Sequence, residues 1–113
     1  MVDISHTEEN DVHIVTVTGE VDASSSIHLD NALSEAIKSG KNIVADLEGL
    51  SYISSAGLGV FMSYLKDLDS NNLKLVLAGL NEKVLHVFEI LGLDQLLTIK
   101  KDLNTAKEVI NDL

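Results

Sequence analysis

Apolar positions change period several times along this chain, and each change marks an element. Val12 to Thr18 alternates, with His13, Val15 and Val17 on one face and Ile14, Thr16 and Thr18 on the other, which predicts a strand rich in β-branched residues. Asp3 to Glu8 is expected to pair with it as an edge hairpin. Gly19-Glu20-Val21-Asp22 then turns the chain, and any of Ser24, Ser25 and Ser26 can N-cap the next element. Leu29, Ala32, Leu33, Ala36 and Ile37 fall on one face of a helix that Gly40 stops. Ile43-Val44-Ala45-Asp46-Leu47 is a short continuous apolar run, the profile of a central strand covered on both sides. A loop from Glu48 to Ser54 leads to a second helix burying Leu58, Phe61, Met62, Leu65 and Leu68, ended by Ser70-Asn71-Asn72. Leu73 to Ala78 reads as a strand. Asn81 caps a third helix carrying Val84, Val87, Phe88 and Leu91, closed by Gly92. Leu96 to Ile99 is a short strand, and Leu103, Ala106, Ile110 and Leu113 mark a final helix with Asp102 as its cap.

The order is strand, strand, helix, then strand-helix three times. Crossovers of this length impose parallel pairs, so the expectation is one α/β domain over residues 1–113, with a mixed sheet of four to five strands, an antiparallel edge and about four helices. No linker, repeat or low-complexity run interrupts it, and proline is absent. At 113 residues and 45% hydrophobic content the chain is long enough to bury a core.

Charge narrows the partners. The basic residues are eight lysines and no arginine against eighteen Asp and Glu, a net charge of −10. That charge repels nucleic acid and anionic membrane surfaces and favours a basic protein surface as partner. The absence of cysteine excludes disulfides, zinc-thiolate sites, iron-sulfur clusters and thiol chemistry. The acidic stretch Met1 to Asn10 is no secretory signal, and no apolar run approaches the ~20 residues of a membrane helix. The expected setting is the cytoplasm.

The segment Tyr52-Ile53-Ser54-Ser55-Ala56-Gly57-Leu58-Gly59 holds the candidate chemistry, because it places two hydroxyls where a buried strand passes into a helix. One serine suffices as an N-cap. Glycine costs a helix up to about 1 kcal/mol relative to alanine, so Gly57 and Gly59 point to a close approach, read here as that of a partner. A dinucleotide site needs a third glycine where Met62 stands, and neither a phosphate-loop Gly-Lys-Ser/Thr nor a Gly-x-Ser-x-Gly elbow occurs. Asp22 and Asp46 do not make a receiver-type acidic cluster, and no calcium-binding loop spacing is present. His6, His13, His28 and His86 read as surface or packing residues. What remains is a hydroxyl at a helix N-terminus, where a phosphate's −1.5 to −2 charge suits the first-turn amides and the helix dipole.

Three blocks carry a resemblance: Gly19-Glu20-Val21-Asp22, then Ala45-Asp46-Leu47-Glu48-Gly49-Leu50-Ser51-Tyr52-Ile53-Ser54-Ser55-Ala56-Gly57-Leu58-Gly59-Val60, then Val87-Phe88-Glu89-Ile90-Leu91-Gly92-Leu93. In this order the chain resembles STAS domains, specifically the bacterial anti-sigma factor antagonists, over nearly its whole length. The resemblance implies a small α/β domain without catalysis, cofactor or metal. It also implies binding to an anti-sigma factor that is a serine kinase, inactivation by phosphorylation at the start of the second helix, and restoration by a PP2C-type phosphatase. The family's phosphorylated position, two residues before the motif glycine, is Ser55 here. Asp22 matches the aspartate after the second strand in a partner-facing loop, and Ser24, Ser54, Gly57 and Leu58 complete the expected partner surface. Antagonists of this kind commonly carry aspartate directly before the phospho-acceptor, where this chain has Ser54. That departure keeps open a non-phosphorylated STAS adaptor, such as a small subunit of an ABC transporter, or a ligand-binding module.

Overall fold

The computed structural model describes every residue from Met1 to Leu113. Strands β1 (Val2–Glu9) and β2 (Val12–Val21) form an antiparallel hairpin paired along its whole length, from Val2 opposite Gly19 to Glu9 opposite Val12. Helix α1 (Ser26–Lys38) returns the chain to β3 (Asn42–Asp46), which runs parallel to the first half of β2. Strand β4 (Leu50–Ile53) then pairs parallel with the last three residues of β2, beyond the end of β3. Helices α2 (Ser55–Ser63) and α3 (Leu65–Ser70) lead to β5 (Leu75–Ala78), and α4 (Glu82–Ile90) leads through a single 3₁₀ turn to β6 (Thr98–Lys100). Helix α5 (Leu103–Ile110) closes the chain.

The sheet has six strands in the order β1-β2-β3-β5-β6, with β4 attached to β2. The expected antiparallel edge and parallel interior are both present. The strand order never reverses, so there is no switch point of the kind at which doubly wound sheets open a ligand crevice.

Twenty buried residues fill the larger core. In it Val15, Val17, Ile43, Ala45, Leu47, Leu75 and Leu77 meet Leu29, Leu33, Leu58, Phe61, Leu68, Val84 and Phe88 from the helices. Seven more pack the opposite face under α5, including Val12, Ile14, Val44, Val76, Ala106 and Ile110. Strand β3 thus sends Ile43 and Ala45 to one core and Val44 to the other, as its unbroken apolar run required.

Four details differ from the sequence reading. Residues 50–53 form a strand rather than part of a loop, which raises the strand count to six. The second helix is broken at Tyr64, whose hydroxyl donates to the Asp30 carboxylate and, at 3.1 Å, to the Asp30 carbonyl on α1. Burial and this contact push the Tyr64 phenol up to about 12. The last strand starts at Thr98, because Leu93–Gln95 is a 3₁₀ turn that leaves Leu96 exposed and turns Leu97 inward. Leu91 and Leu113 are exposed, since their helices end at Ile90 and Ile110.

Candidate functional site

The end of β2 and the end of β4 are held side by side. Val21 pairs with Ile53, and the Ser54 amide donates to the Val21 carbonyl at 2.8 Å. The loop entering α1 and the start of α2 therefore share one edge of the sheet, which brings Asp22 and Ser24 to the same end as Ser54 and Ser55. On the other side of β2, Gly19 lets the residue before β1 lie against the strand. At φ +99° a side chain there is strained, and a Cβ would lie 2.2 Å from the Met1 carbonyl oxygen. Its amide instead donates to the Gly49 carbonyl at 2.9 Å, and the Ser51 hydroxyl donates to the Gly19 carbonyl at 3.0 Å. Asn81 anchors the other side of β4, accepting from the Val84 amide as the α4 cap while its Nδ2 donates to the Leu50 carbonyl.

The two serines have separate environments. Ser54 is the N-cap of α2, with extended backbone and its Oγ accepting from the Gly57 amide at 3.2 Å. Its carbonyl accepts from the Leu58 amide at 3.0 Å. With the Ser54 amide held by Val21 and that of Gly57 by the cap, two of the four free amides of the helix start are satisfied, leaving those of Ser55 and Ala56 without an intrahelical acceptor. Ser55 is the first helical residue and is exposed. Its hydroxyl thus stands beside two free amides at the positive end of the helix, and the cap does not depend on it.

Asp22 organises the neighbouring loop. Its Oδ1 accepts from the Ser24 hydroxyl and the Ser25 amide, both at 2.8 Å, and from the Ser25 hydroxyl at 2.9 Å. These bonds, led by that of Ser24, hold its carboxyl down to about 2, so it is ionised under all ordinary conditions. Ser25 stands at the N-cap position of α1, yet its side chain makes no capping bond and is committed to Asp22. Asp22 and Ser24 are both exposed.

Gly57 and Leu58 do not lie on the surface. Leu58 is a core residue. Gly57 is buried, and a Cβ there would come within 2.7 Å of Ile53 Cγ1 and 2.8 Å of Val21 Cγ1. The close approach that excludes a side chain is internal: α2 sits directly on the ends of β2 and β4. Gly59 is the glycine with open space around it. Two apolar side chains outside the expected partner surface do reach the surface here, Ile27 at 54% exposure in the first turn of α1 and Tyr52 at 49% on β4. Ile27 carried a signal, because it falls outside the stripe formed by Leu29, Ala32, Leu33 and Ala36.

Fold and site together define a singly wound α/β domain that presents an exposed serine at a helix start, between an acidic loop and two exposed apolar side chains. The STAS domain family model matches residues 3–106, and the chain belongs to that family. It is 37% identical over 101 residues to the anti-sigma-B factor antagonist of Listeria monocytogenes, covering 88% of this chain and 89% of that protein. Its fold is that of an anti-sigma factor antagonist from Mycobacterium paratuberculosis (TM-score 0.90, 18% identity, 99% and 96% of the two chains). It is also that of the Bacillus cell fate determinant SpoIIAA in its phosphorylated form (TM-score 0.70, 19% identity, 95% and 99%). No helix is long and apolar enough to cross a membrane.

Proposed function

We propose that this chain is an anti-sigma factor antagonist, a non-catalytic cytoplasmic protein that binds an anti-sigma factor serine kinase and is switched off by phosphorylation of Ser55. A PP2C-type phosphatase restores it, and sigma-factor-dependent transcription follows the unphosphorylated fraction. The observation that carries this reading is the division of labour between two adjacent serines: Ser54 caps α2, so Ser55 is free to be modified without dismantling the helix. The relatives' names point the same way, as does a phosphorylated form of a protein of this fold.

A phosphate on Ser55 adds −1.5 to −2 charge beside exposed Glu20 and ionised Asp22. The kinase surface is apolar where it meets Ile27 and Tyr52, and a phosphate brought against it loses its hydration. Two further charges on a net −10 change the global field little, so the switch acts locally, through bulk and charge at the contact.

Pull-down from native cells with and without ATP recovers the kinase, and incubation with it followed by mass spectrometry maps the phosphate. Stoichiometric phosphate on Ser55 is expected. Phosphate elsewhere, or none, removes the assignment. Ser54 in place of the family's usual aspartate favours the second reading, a constitutive STAS adaptor, for which the pull-down returns transporter subunits and no kinase.

A further inference from the structure

At the end of β2 remote from Ser55 a chain of titratable groups links β1, β2 and α1. His13 is only 5% exposed, and its Nε2 lies 2.8 Å from Nδ1 of His6 on β1, the rings meeting edge-on. The outer nitrogens face carboxylates. His6 Nε2 is 3.5 Å from Glu35 Oε2 on α1, and His13 Nδ1 is 4.0 Å from Glu8 Oε1 on β1. Glu8 is paired with Lys41 Nζ at 3.0 Å in the turn before β3, and that bond holds its carboxyl below the usual range. His13 Nδ1 is fully buried and has no hydrogen-bond partner. His6 and Glu8 from β1, Glu35 from α1 and Lys41 from the α1–β3 turn are the titratable groups that face His13.

The chain contains three contacts: Glu35 to His6, His6 to His13, and His13 to Glu8. Two neutral rings carry two ring protons between them. With one of these protons in the bond between the rings, one outer nitrogen turns a lone pair toward a carboxylate. One added proton fills every contact. A second places two N–H groups face to face at 2.8 Å, where no bond survives.

We propose that His6 and His13 form an acid latch on β1: the closed pair shares one added proton, and a second proton, arriving on buried His13, breaks the nitrogen–nitrogen bond and loosens β1 from β2. Beside the pair, β1 and α1 border a groove lined by Val2, Ile4, His6, His28, Asn31 and Glu35. Strand β1 is an edge strand that pairs only with β2, so it can open without breaking another strand pairing. Burial, then repulsion from His6, hold His13 below its ordinary 6.5. A base depressed in the folded state takes its proton first in the opened state. The latch is therefore unaffected above about pH 6.5 and weakens as the pH falls through that value toward the folded one. Glu8 stays ionised over this interval, so carboxylate titration does not mimic the effect.

The test uses the intact protein, with imidazole signals followed by NMR and β1 amide protection followed by hydrogen exchange at about pH 7.5 and 5.5. The two rings are expected to move together in a first step. Protection of β1 should fall roughly tenfold at the lower pH relative to β5, since each unit below 6.5 is a factor of ten. His13→Phe keeps a ring in the core and should abolish that loss, while His28→Gln should leave it unchanged. His6→Gln, at a half-buried position, removes the repulsion and should raise the His13 midpoint. Independent titration of the rings, pH-independent protection, an equal loss in His13→Phe, or an unmoved midpoint in His6→Gln overturns the latch.

Discussion

Replacing Ser54 by alanine removes the acceptor that its Oγ offers the Gly57 amide at 3.2 Å and leaves the rest of the junction in place, because the Ser54 amide still donates to Val21. Loss of an N-cap of this kind costs about 1 kcal/mol. The penalty for stranding the amide stays at that level, not several times higher, because Ser54 is half-exposed and water reaches the site. Helix α2 has little reserve, with two glycines among nine residues and no acidic side chain in its first turn to favour the dipole. For a domain of this size the loss lowers Tm by about 4 °C. Ser55→Ala, at an exposed position that makes no capping bond, stays within about 0.5 kcal/mol of the parent. Ser54→Asp, the residue usual in the family, keeps the cap and restores stability. Urea unfolding followed by circular dichroism measures all three. If Ser55→Ala is as costly as Ser54→Ala, or Ser54→Ala is neutral, the separation of cap from switch is wrong.

The remaining predictions concern packing and charge. Gly57→Ala drives a Cβ against Ile53 and Val21 and should destabilise by about 1–2 kcal/mol net of the helix propensity it gains, whereas Gly59→Ala, in open space, should stabilise by about 0.5 kcal/mol. Thermal melts distinguish the two. Tyr64→Phe unties α2 from α1 at Asp30 and should cost about 1 kcal/mol, measured by urea unfolding. Asp22, Asp102 and Glu8 all titrate below their ordinary values, so their contribution to stability is complete above those values and is lost as the pH falls below them, for Asp22 toward about 2. Asp22→Asn should flatten part of that acid limb in Tm against pH.

Periodicity made most of the fold legible. The stripe Leu29, Ala32, Leu33, Ala36 and the apolar residues Ile43, Val44, Ala45 and Leu47 are buried where their spacing put them, and Asn81 and Asp102 cap the helices that follow them. Strand β4 escaped because its burial does not alternate: Leu50 and Ile53 are buried while Ser51 and Tyr52 between them are exposed, an arrangement set by the far end of β2. The break at Tyr64 escaped because apolar spacing continues through it, and the Tyr64 contact with Asp30 on α1 lies outside any local window. At the site, adjacent serines at a helix start were visible. Which of them caps was not, since the cap follows from where β4 ends. Gly57 was legible as a close approach, but its neighbour is the protein's own Val21 and Ile53. The pairing of His6 with His13 depends on the register of the hairpin, which brings residues seven apart together.

The central claim is that a phosphate on Ser55 abolishes partner binding without disturbing the fold. Protein phosphorylated at Ser55 and its unmodified counterpart are titrated calorimetrically into the anti-sigma factor kinase, and both are melted under the same conditions. The account predicts that the unmodified chain binds, that the phosphorylated chain does not, and that their Tm values agree to within about 2 °C. Equal affinity of the two forms, or lost binding accompanied by a collapse in Tm, contradicts it.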